Sequence, residues 1–381
     1  MSLLNNPIQD YAWGPVDGVA ALVGSPPTGR REAELWIGTH PRASSLQAEG
    51  AVAGEPLRGL AHLDFLLKVL AIEAPLSLQA HPSSEQAFAG YQREEAAGIP
   101  RDAPERTYPD PSAKPEMLVA LVDTWALCGF RAVADARALV ESLDDAALRP
   151  LVDALGQDEA ASAFRAALAW TLQVSGADRA AAADALAAAA SGRAATDPDD
   201  PWTWVTELTA RYPGDPSAVA PLLLELLHLR PGDAVHLPAG NLHAYLRGGG
   251  IEIMAESDNV LRGGLTPKHV DVGELLRVVR FEPGVPPAPV PERRGALTVY
   301  DAGEADFALA RIDPGSDAWD LQVTEDSLFL PVGGSATVTA GAGAWTAAPG
   351  QAVWMEPGGP VQVDSEVPVW WATRGGGLPS A

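Results

Sequence analysis

The chain has 381 residues, enough for two or three domains with cores of their own, and 47% hydrophobic with 20% charged residues describes a globular protein. With 50 acidic residues against 26 basic, the formal charge of −24 excludes nucleic acid and anionic membrane as partners. The only cysteine, Cys128, leaves no intrachain disulfide and no cysteine-rich zinc site.

The opening residues, MSLLNNPIQDYAWG, have no basic stretch followed by an apolar one, and no apolar run in the chain reaches the roughly 18 residues of a membrane span. A cytoplasmic protein, working as a monomer, is expected. Residues 1–125 read as short strands broken by turns: IQDYAWG (8–14), AELWIGT (33–39), FLLKVL (65–70) and LSLQAH (76–81) carry aromatic and apolar residues between Gly and Pro. Alternation along LSLQAH puts Ser77, Gln79 and His81 on one face and Leu76 and Leu78 on the other. The next strand, KPEMLVAL (114–121), puts Lys114 and Glu116 on one face by the same period.

Residues 131–228 change character, with Ala and Leu at helical spacing, as in Phe164, Leu168 and Leu172. Gly and Pro clusters at 191–201 and 212–216 divide this stretch into several helices without a chemical motif, and His228 is expected on the last of them.

The segment 231–268, PGDAVHLPAGNLHAYLRGGGIEIMAESDNVLRGGLTPK, starts with a turn and a strand, then turns back into His243–Leu246. Gly248–Gly250 then separates that strand from Ile251–Met254, and the following loop crowds Asp258, Arg262 and Lys268 together. Residues 230–280 are also locally neutral within an acidic chain, a setting that suits an anionic small molecule. Lys68, Lys114 and Lys268 are the only lysines, so each marks a place where a compact ammonium is wanted rather than a planar guanidinium. Lys68, among apolar neighbours in FLLKVL, must snorkel or pair with a buried acid.

A Pro-rich connector, FEPGVPPAPVPERRG (281–295), leads to short glycine-punctuated strands over 296–375. PGQAVWMEPG (349–358) there echoes PGDAVHLPAG (231–240), and the position matching His243 is Val361, so the second β unit is expected to keep the frame without the ligand.

Without cysteine, a zinc site must use histidine, carboxylate or carbonyl oxygen. Gln79 and His81 on one strand face, Glu116 on a neighbouring strand and His243 at its turn form a candidate set of four.

The motifs QDYAWG, ELWIGTHP, PLSLQAHP, KPEM, ALCGF, VHLPAGNLHAYL and SDNVLRGGLTPKH, in this order, resemble the type I mannose-6-phosphate isomerases, metal enzymes of the cupin superfamily. The resemblance covers residues 8–130 and 228–277 and extends more loosely beyond them. It implies a mainly β chain with an α insertion: two cupin-type jelly-roll β-barrels plus an all-helical insertion domain. The catalytic cupin domain would span 1–130 and 229–290, the insertion 131–228, and a cupin-like β domain without a metal site 291–381.

The resemblance further implies one zinc ion held by Gln79, His81, Glu116 and His243, a catalytic Arg262, and a pocket lined by Tyr245, Glu252, Asp258 and Lys268. Ser77 and Lys114 would lie near a sugar phosphate substrate. His40, in GTHP, is expected to be structural. The chain departs from the family at YPDPSA, where many relatives carry Asn-His at 112 and 113, and at Ser83; neither position is a ligand.

The implied reaction moves a proton between C1 and C2 of an aldose and a ketose phosphate, and needs a base near neutral pKa with an electrophile for the developing oxyanion. Glu252, a histidine or a metal-activated water are the candidate bases. The rival readings are a non-catalytic metal-containing sugar-binding cupin and an iron-dependent dioxygenase. Gln79 as a fourth protein ligand fits the dioxygenase poorly.

Overall fold

The structure, a computed structural model, describes residues 1–315 and 318–379. It is mainly β, with antiparallel sheets and a helical stretch. No helix among the described residues is long and apolar enough to cross a membrane.

A ten-stranded sheet carries the strands around the sequence motifs, and its backbone is the long strand His243–Ala255. The second half of that strand pairs with Phe65–Ile72 on one side and Glu116–Ala120 on the other, while its first half pairs with Thr124–Phe130 and with Gln79. The glycine run expected to separate two strands therefore lies within a single one. A bulge falls between Tyr245 and Arg247, and Gly248 has φ +122 with no room for a Cβ, which would come 2.4 Å from Thr124 Oγ1. Glycine here re-aims the strand and admits a close backbone, rather than ending the pairing.

Alternation sorts the side chains of this sheet onto two faces. Leu67, Val69, Ile251, Ile253, Met117 and Val119 pack against Tyr300, Leu309, Leu328, Trp354 and Trp370 of an eight-stranded sheet formed mostly by the C-terminal strands. Leu66, Lys68, Leu70 and Glu252 point the other way, into the space where the two halves of the ten-stranded sheet meet. With both faces of Phe65–Ile72 covered, all eight of its residues are buried, so its lysine lies inside the protein.

The stretch 131–228 is helical from Val133–Glu141 to the short helix Ala220–Leu223; two of its breaks fall at the Gly and Pro clusters 191–201 and 212–216, and the others, at 142–145, 155–159 and 174–175, fall outside them. His228 and Leu227, however, lie on the strand Leu224–Leu229, paired with Thr124–Phe130. An apolar run of strand length reads equally well as a helix end, and sheet pairing decides it. There His228 stacks on Trp125 at 4.4 Å and sits between Asp123 and Asp199. The helices cover the outer face of the site-bearing strands, where Leu78, Ala80, Leu127, Ala244 and Leu246 join Phe164, Leu168 and Trp204 in one core.

Val361 is buried among apolar residues between the eight-stranded sheet and a four-stranded one. Both echoed segments are a turn with a positive-φ glycine, Gly232 or Gly350, followed by a strand, Ala234–Leu237 or Gln351–Met355. The first strand of the chain, Ser2–Asn5, pairs with Gln351–Met355, so the N-terminus belongs to the C-terminal sheet.

Candidate metal centre and active site

Three strands bring the proposed chemistry into one row. In the ladders Gln79 lies opposite both His243 and Arg262, and directly opposed residues of an antiparallel pair project to the same face. Leu78 and Ala80 turn outward into the helical core, so Gln79 and His81 turn inward even though the strand here is only Gln79–Ala80, shorter than the LSLQAH run suggests.

His81, Glu116 and His243 are each at most 2% exposed, and their ligand-type atoms lie within 4.8 Å of one another. His81 Nδ1 donates to the Asn259 carbonyl at 2.7 Å, and His243 Nδ1 donates to the Asn241 carbonyl at 3.0 Å. Each bond fixes the tautomer, leaving an Nε2 lone pair aimed inward. Neither Nε2 has a hydrogen-bond partner, although both are fully buried. They stand 3.4 and 3.5 Å from the two oxygens of Glu116. Ligands at roughly 2.0–2.1 Å from one tetrahedral ion sit about 3.3–3.4 Å apart, so this spacing fits zinc.

Electrostatics agree with that fit. Burial lowers the His81 pKa to about 4, so the imidazole is neutral and able to ligate near pH 7. Burial would raise Glu116, but the Lys114 ammonium, 2.9 Å away, and the two histidines hold it well below the usual carboxylate range. Cys128, opposite His243 in the ladder, accepts a hydrogen bond from Asn241 Nδ2 at 3.2 Å, and burial pushes its thiol up to about 12. At pH 8 roughly one such thiol in ten thousand is ionised, so the native protein is expected to resist thiol alkylation that proceeds fully in denaturant. Mass spectrometry before and after unfolding reads this directly.

Beside the histidines lies a buried charge network of which sequence reasoning named Lys68 and Glu252, each by itself, without their pairing. Lys68 Nζ is 3.1 Å from Glu252 Oε2 and 3.6 Å from Glu34 Oε2, and stands 5.3 Å from the Trp36 ring centre. Trp36 Nε1 donates to Glu34. Burial works to lower the lysine's pKa, yet the two carboxylates more than offset it. Burial raises Glu252, and Lys68 only partly opposes the shift. Lys68→Met is expected to destabilise the chain by roughly 3 kcal/mol, the low end for a broken buried pair because one of the two acids can take up a proton. Denaturant unfolding checks the figure.

Residues 1–133 match the family model for the catalytic domain of type I phosphomannose isomerase. Mannose-6-phosphate isomerase of Escherichia coli K12 is 33% identical over 375 residues, covering 93% of this chain and 94% of that protein. The chain belongs to the type I mannose-6-phosphate isomerase family.

Relatives in this family extend to Bos taurus, whose mannose-6-phosphate isomerase is 32% identical over 87% of each chain. Among solved structures, a zinc-bound holo mannose 6-phosphate isomerase superposes with a TM-score of 0.88 at 31% identity over 98% of this chain and 99% of that one. The Salmonella typhimurium enzyme bound to fructose 6-phosphate and zinc gives a TM-score of 0.85 at 32% identity over 98% and 99%.

Of the residues that the mannose-6-phosphate isomerase motifs single out, Tyr245 lies nearest the histidines in the ring contacts, its ring centre 6.3 Å from that of His243. Tyr245 is buried on the inner face, its hydroxyl without a hydrogen-bond partner among the described residues, and burial raises its pKa well above the usual value. Ser77 is half-buried, two residues before Gln79. Asp258 is 2.6 Å from Arg42 and 3.5 Å from His40 Nε2; burial raises its pKa, but His40 and Arg42 bring it below the usual value. His40 is 2% exposed and meets Trp36 edge-on.

Arg262 is half-buried, and its guanidinium makes no hydrogen bond or ion pair among the described residues. Exposed Lys268 likewise has no acidic partner among the described residues, and partial burial with the charges of Arg262 and Arg42 lowers its pKa. Arg42, Glu34 and Asn259 were missed by sequence reasoning. Asn259 lies within the SDNVLRGG motif, and it anchors His81 while its own amide donates to the Asp110 and Ser112 carbonyls at 2.8 and 2.7 Å.

Proposed function

We infer that the chain is a zinc-dependent aldose–ketose isomerase that interconverts mannose 6-phosphate and fructose 6-phosphate through an enediol-type proton transfer. The observation that carries this reading is the pair of buried, partnerless Nε2 atoms of His81 and His243 facing a low-pKa Glu116. It is supported by the zinc- and fructose 6-phosphate-bound relatives. Gln79, His81, Glu116 and His243 hold the single zinc. When bound, zinc orients the sugar oxygens and polarises the carbonyl.

This chain's own residues do the rest. Glu252 is the base: burial raises its pKa above the usual carboxylate value, which favours its taking a proton, and Lys68 beside it steadies the charged form. His81 and His243 are not the base, because each Nδ1 is committed to a backbone carbonyl and each Nε2 would be a metal ligand. Arg262, permanently charged and with no acid to neutralise it among the described residues, stabilises the enediolate oxygen. Lys268, helped by the field of Arg42, holds the phosphate. Ser77, Lys114, Tyr245 and Asp258 complete the substrate pocket, Tyr245 offering its free hydroxyl to a sugar oxygen.

The proposal extends to the architecture: two cupin-type jelly-roll barrels, expected from 1–130 with 229–290 and from 291–381, with 131–228 inserted, except that the strand Leu224–Leu229 returns to the catalytic sheet, ending the helical insertion at 223, and the strand Ser2–Asn5 joins the second barrel. Each β unit has a core of its own, around Leu118 and Tyr245 in the first and around Val338 and Trp371 in the second, while two further cores join the sheets to each other and seat the helices on the first. We propose a cytoplasmic monomer.

A coupled assay of purified protein with mannose 6-phosphate tests the activity. Turnover that chelator abolishes and zinc restores is the expected result; sugar phosphate binding without turnover would select the non-catalytic cupin instead.

A further inference from the structure

Arg262 has no acid to hold its guanidinium among the described residues, so its aim depends on the backbone that carries it. That backbone is laddered from Leu261, opposite Ala80, through Arg262, opposite Gln79, to Gly263, whose N–H donates to the Leu78 carbonyl at 2.7 Å. On its C-terminal side the chain leaves the sheet through an unusual turn. Gly264 has φ +107 and Leu265, although not glycine, has φ +55. A leucine stays in that region only when its surroundings impose it.

The imposing groups come from the helical stretch, which by sequence carries no chemical motif. Leu265 N–H donates to Ser217 Oγ at 3.0 Å and to Asp215 Oδ2 at 3.2 Å. Asp215 is itself braced, its Oδ1 accepting from Ser217 N–H at 3.1 Å and pairing with Arg179 at 3.1 Å, while Arg179 Nε donates to the Gly214 carbonyl at 3.1 Å. Ser217 is 1% exposed, and a Cβ on Gly264 would fall 2.4 Å from its Cβ, so glycine permits the approach. The Leu265 side chain is buried in the helical core.

We propose that Asp215 and Ser217 are positioning residues for the isomerisation. By clamping Leu265 N–H they hold the 263–265 turn in its strained form and so fix the direction in which Arg262 points. The helical domain is thereby part of the catalytic apparatus as well as a cover for the sheet. This rests on the role assigned to Arg262 under the proposed function. Misplacement of a transition-state group by about 1 Å costs up to roughly a hundredfold in rate, which sets the scale of the effect.

A double-mutant cycle on the zinc-loaded, full-length protein tests it. Asp215→Ala with Ser217→Ala is expected to lower kcat on mannose 6-phosphate by roughly 10- to 100-fold, with KM changed less than about threefold and zinc content unaltered. Asp215→Asn alone, which keeps an acceptor for Leu265 N–H, is expected to retain most of the turnover. In an Arg262→Ala background the same substitutions are expected to change kcat by less than about twofold, because no guanidinium is left to aim. Equal fold losses in both backgrounds, or undiminished kcat in the clamp variants when Arg262 is intact, would overturn the clamp. If Arg262→Ala itself leaves turnover intact, the role of Arg262 fails and the clamp with it; if it slows the enzyme while the clamp variants do not, only the clamp fails. Ser217→Ala alone, deleting one buried oxygen, runs the same cycle with a several-fold expected loss should the double variant not fold.

Discussion

Replacing Arg262 by alanine is expected to lower turnover of mannose 6-phosphate by roughly two to four orders of magnitude, the scale of a lost contact to a developing oxyanion. The size of the effect follows from the charge balance of the site. Most cations near the metal centre are neutralised: Lys68 by Glu252 and Glu34, Lys114 by Glu116, Arg42 by Asp258. Arg262 is half-buried with no acidic partner among the described residues, and burial lowers its pKa for want of one. An unneutralised guanidinium in a partly dehydrated pocket gains most when negative charge appears beside it, which here happens in the enediolate. KM should move little by comparison, and zinc content should not change. Steady-state kinetics with elemental analysis on one preparation reads all three quantities. Near-normal turnover with zinc in place would remove Arg262 from the mechanism.

His243→Ala is expected to lose both metal and activity. The substitution leaves Gln79, His81 and Glu116, one ligand short of the four that a zinc site with this donor set needs. It also leaves the Asn241 carbonyl without the Nδ1 donor that it accepts from at 3.0 Å. Zinc measured after desalting should fall from one per chain to near zero, and turnover should fall to the level of the chelated wild type. Retention of one zinc per chain would mean that His243 is no ligand.

How much of this was legible in the chain differs from element to element. Strand parity placed Ser77, Gln79 and His81 on one face and Lys114 with Glu116 on another, and it sufficed even though pairing covers only Gln79–Ala80 of the first run. Parity works there because the opposite residues, Leu78 and Ala80, are claimed by the helical core. The long strand was misread at Gly248–Gly250 because a glycine run signals a turn equally well, and only the close approach of Thr124 shows why glycine is needed inside a strand.

His228 went to the wrong element for a similar reason: LELLHL is apolar enough for either structure, and the partner strand that decides the matter lies about a hundred residues earlier in the chain. The partners of Lys68 were illegible for the same cause, since Glu252 and Glu34 approach it from two other strands. The single signal available was compositional, one of three lysines set among apolar residues. Asp215 and Ser217 left no signal, because an ordinary turn sequence acquires its role only where the Gly263–Leu265 segment passes over it.

The central claim is that Gln79, His81, Glu116 and His243 share one metal ion, and a zinc-edge anomalous difference map of crystals grown with zinc tests it most directly. The expected map has a single strong peak within about 2.0–2.2 Å of His81 Nε2, His243 Nε2, a Glu116 oxygen and the Gln79 side-chain oxygen. A peak elsewhere, or density ligated by the histidines with Gln79 and Glu116 turned away, would contradict it.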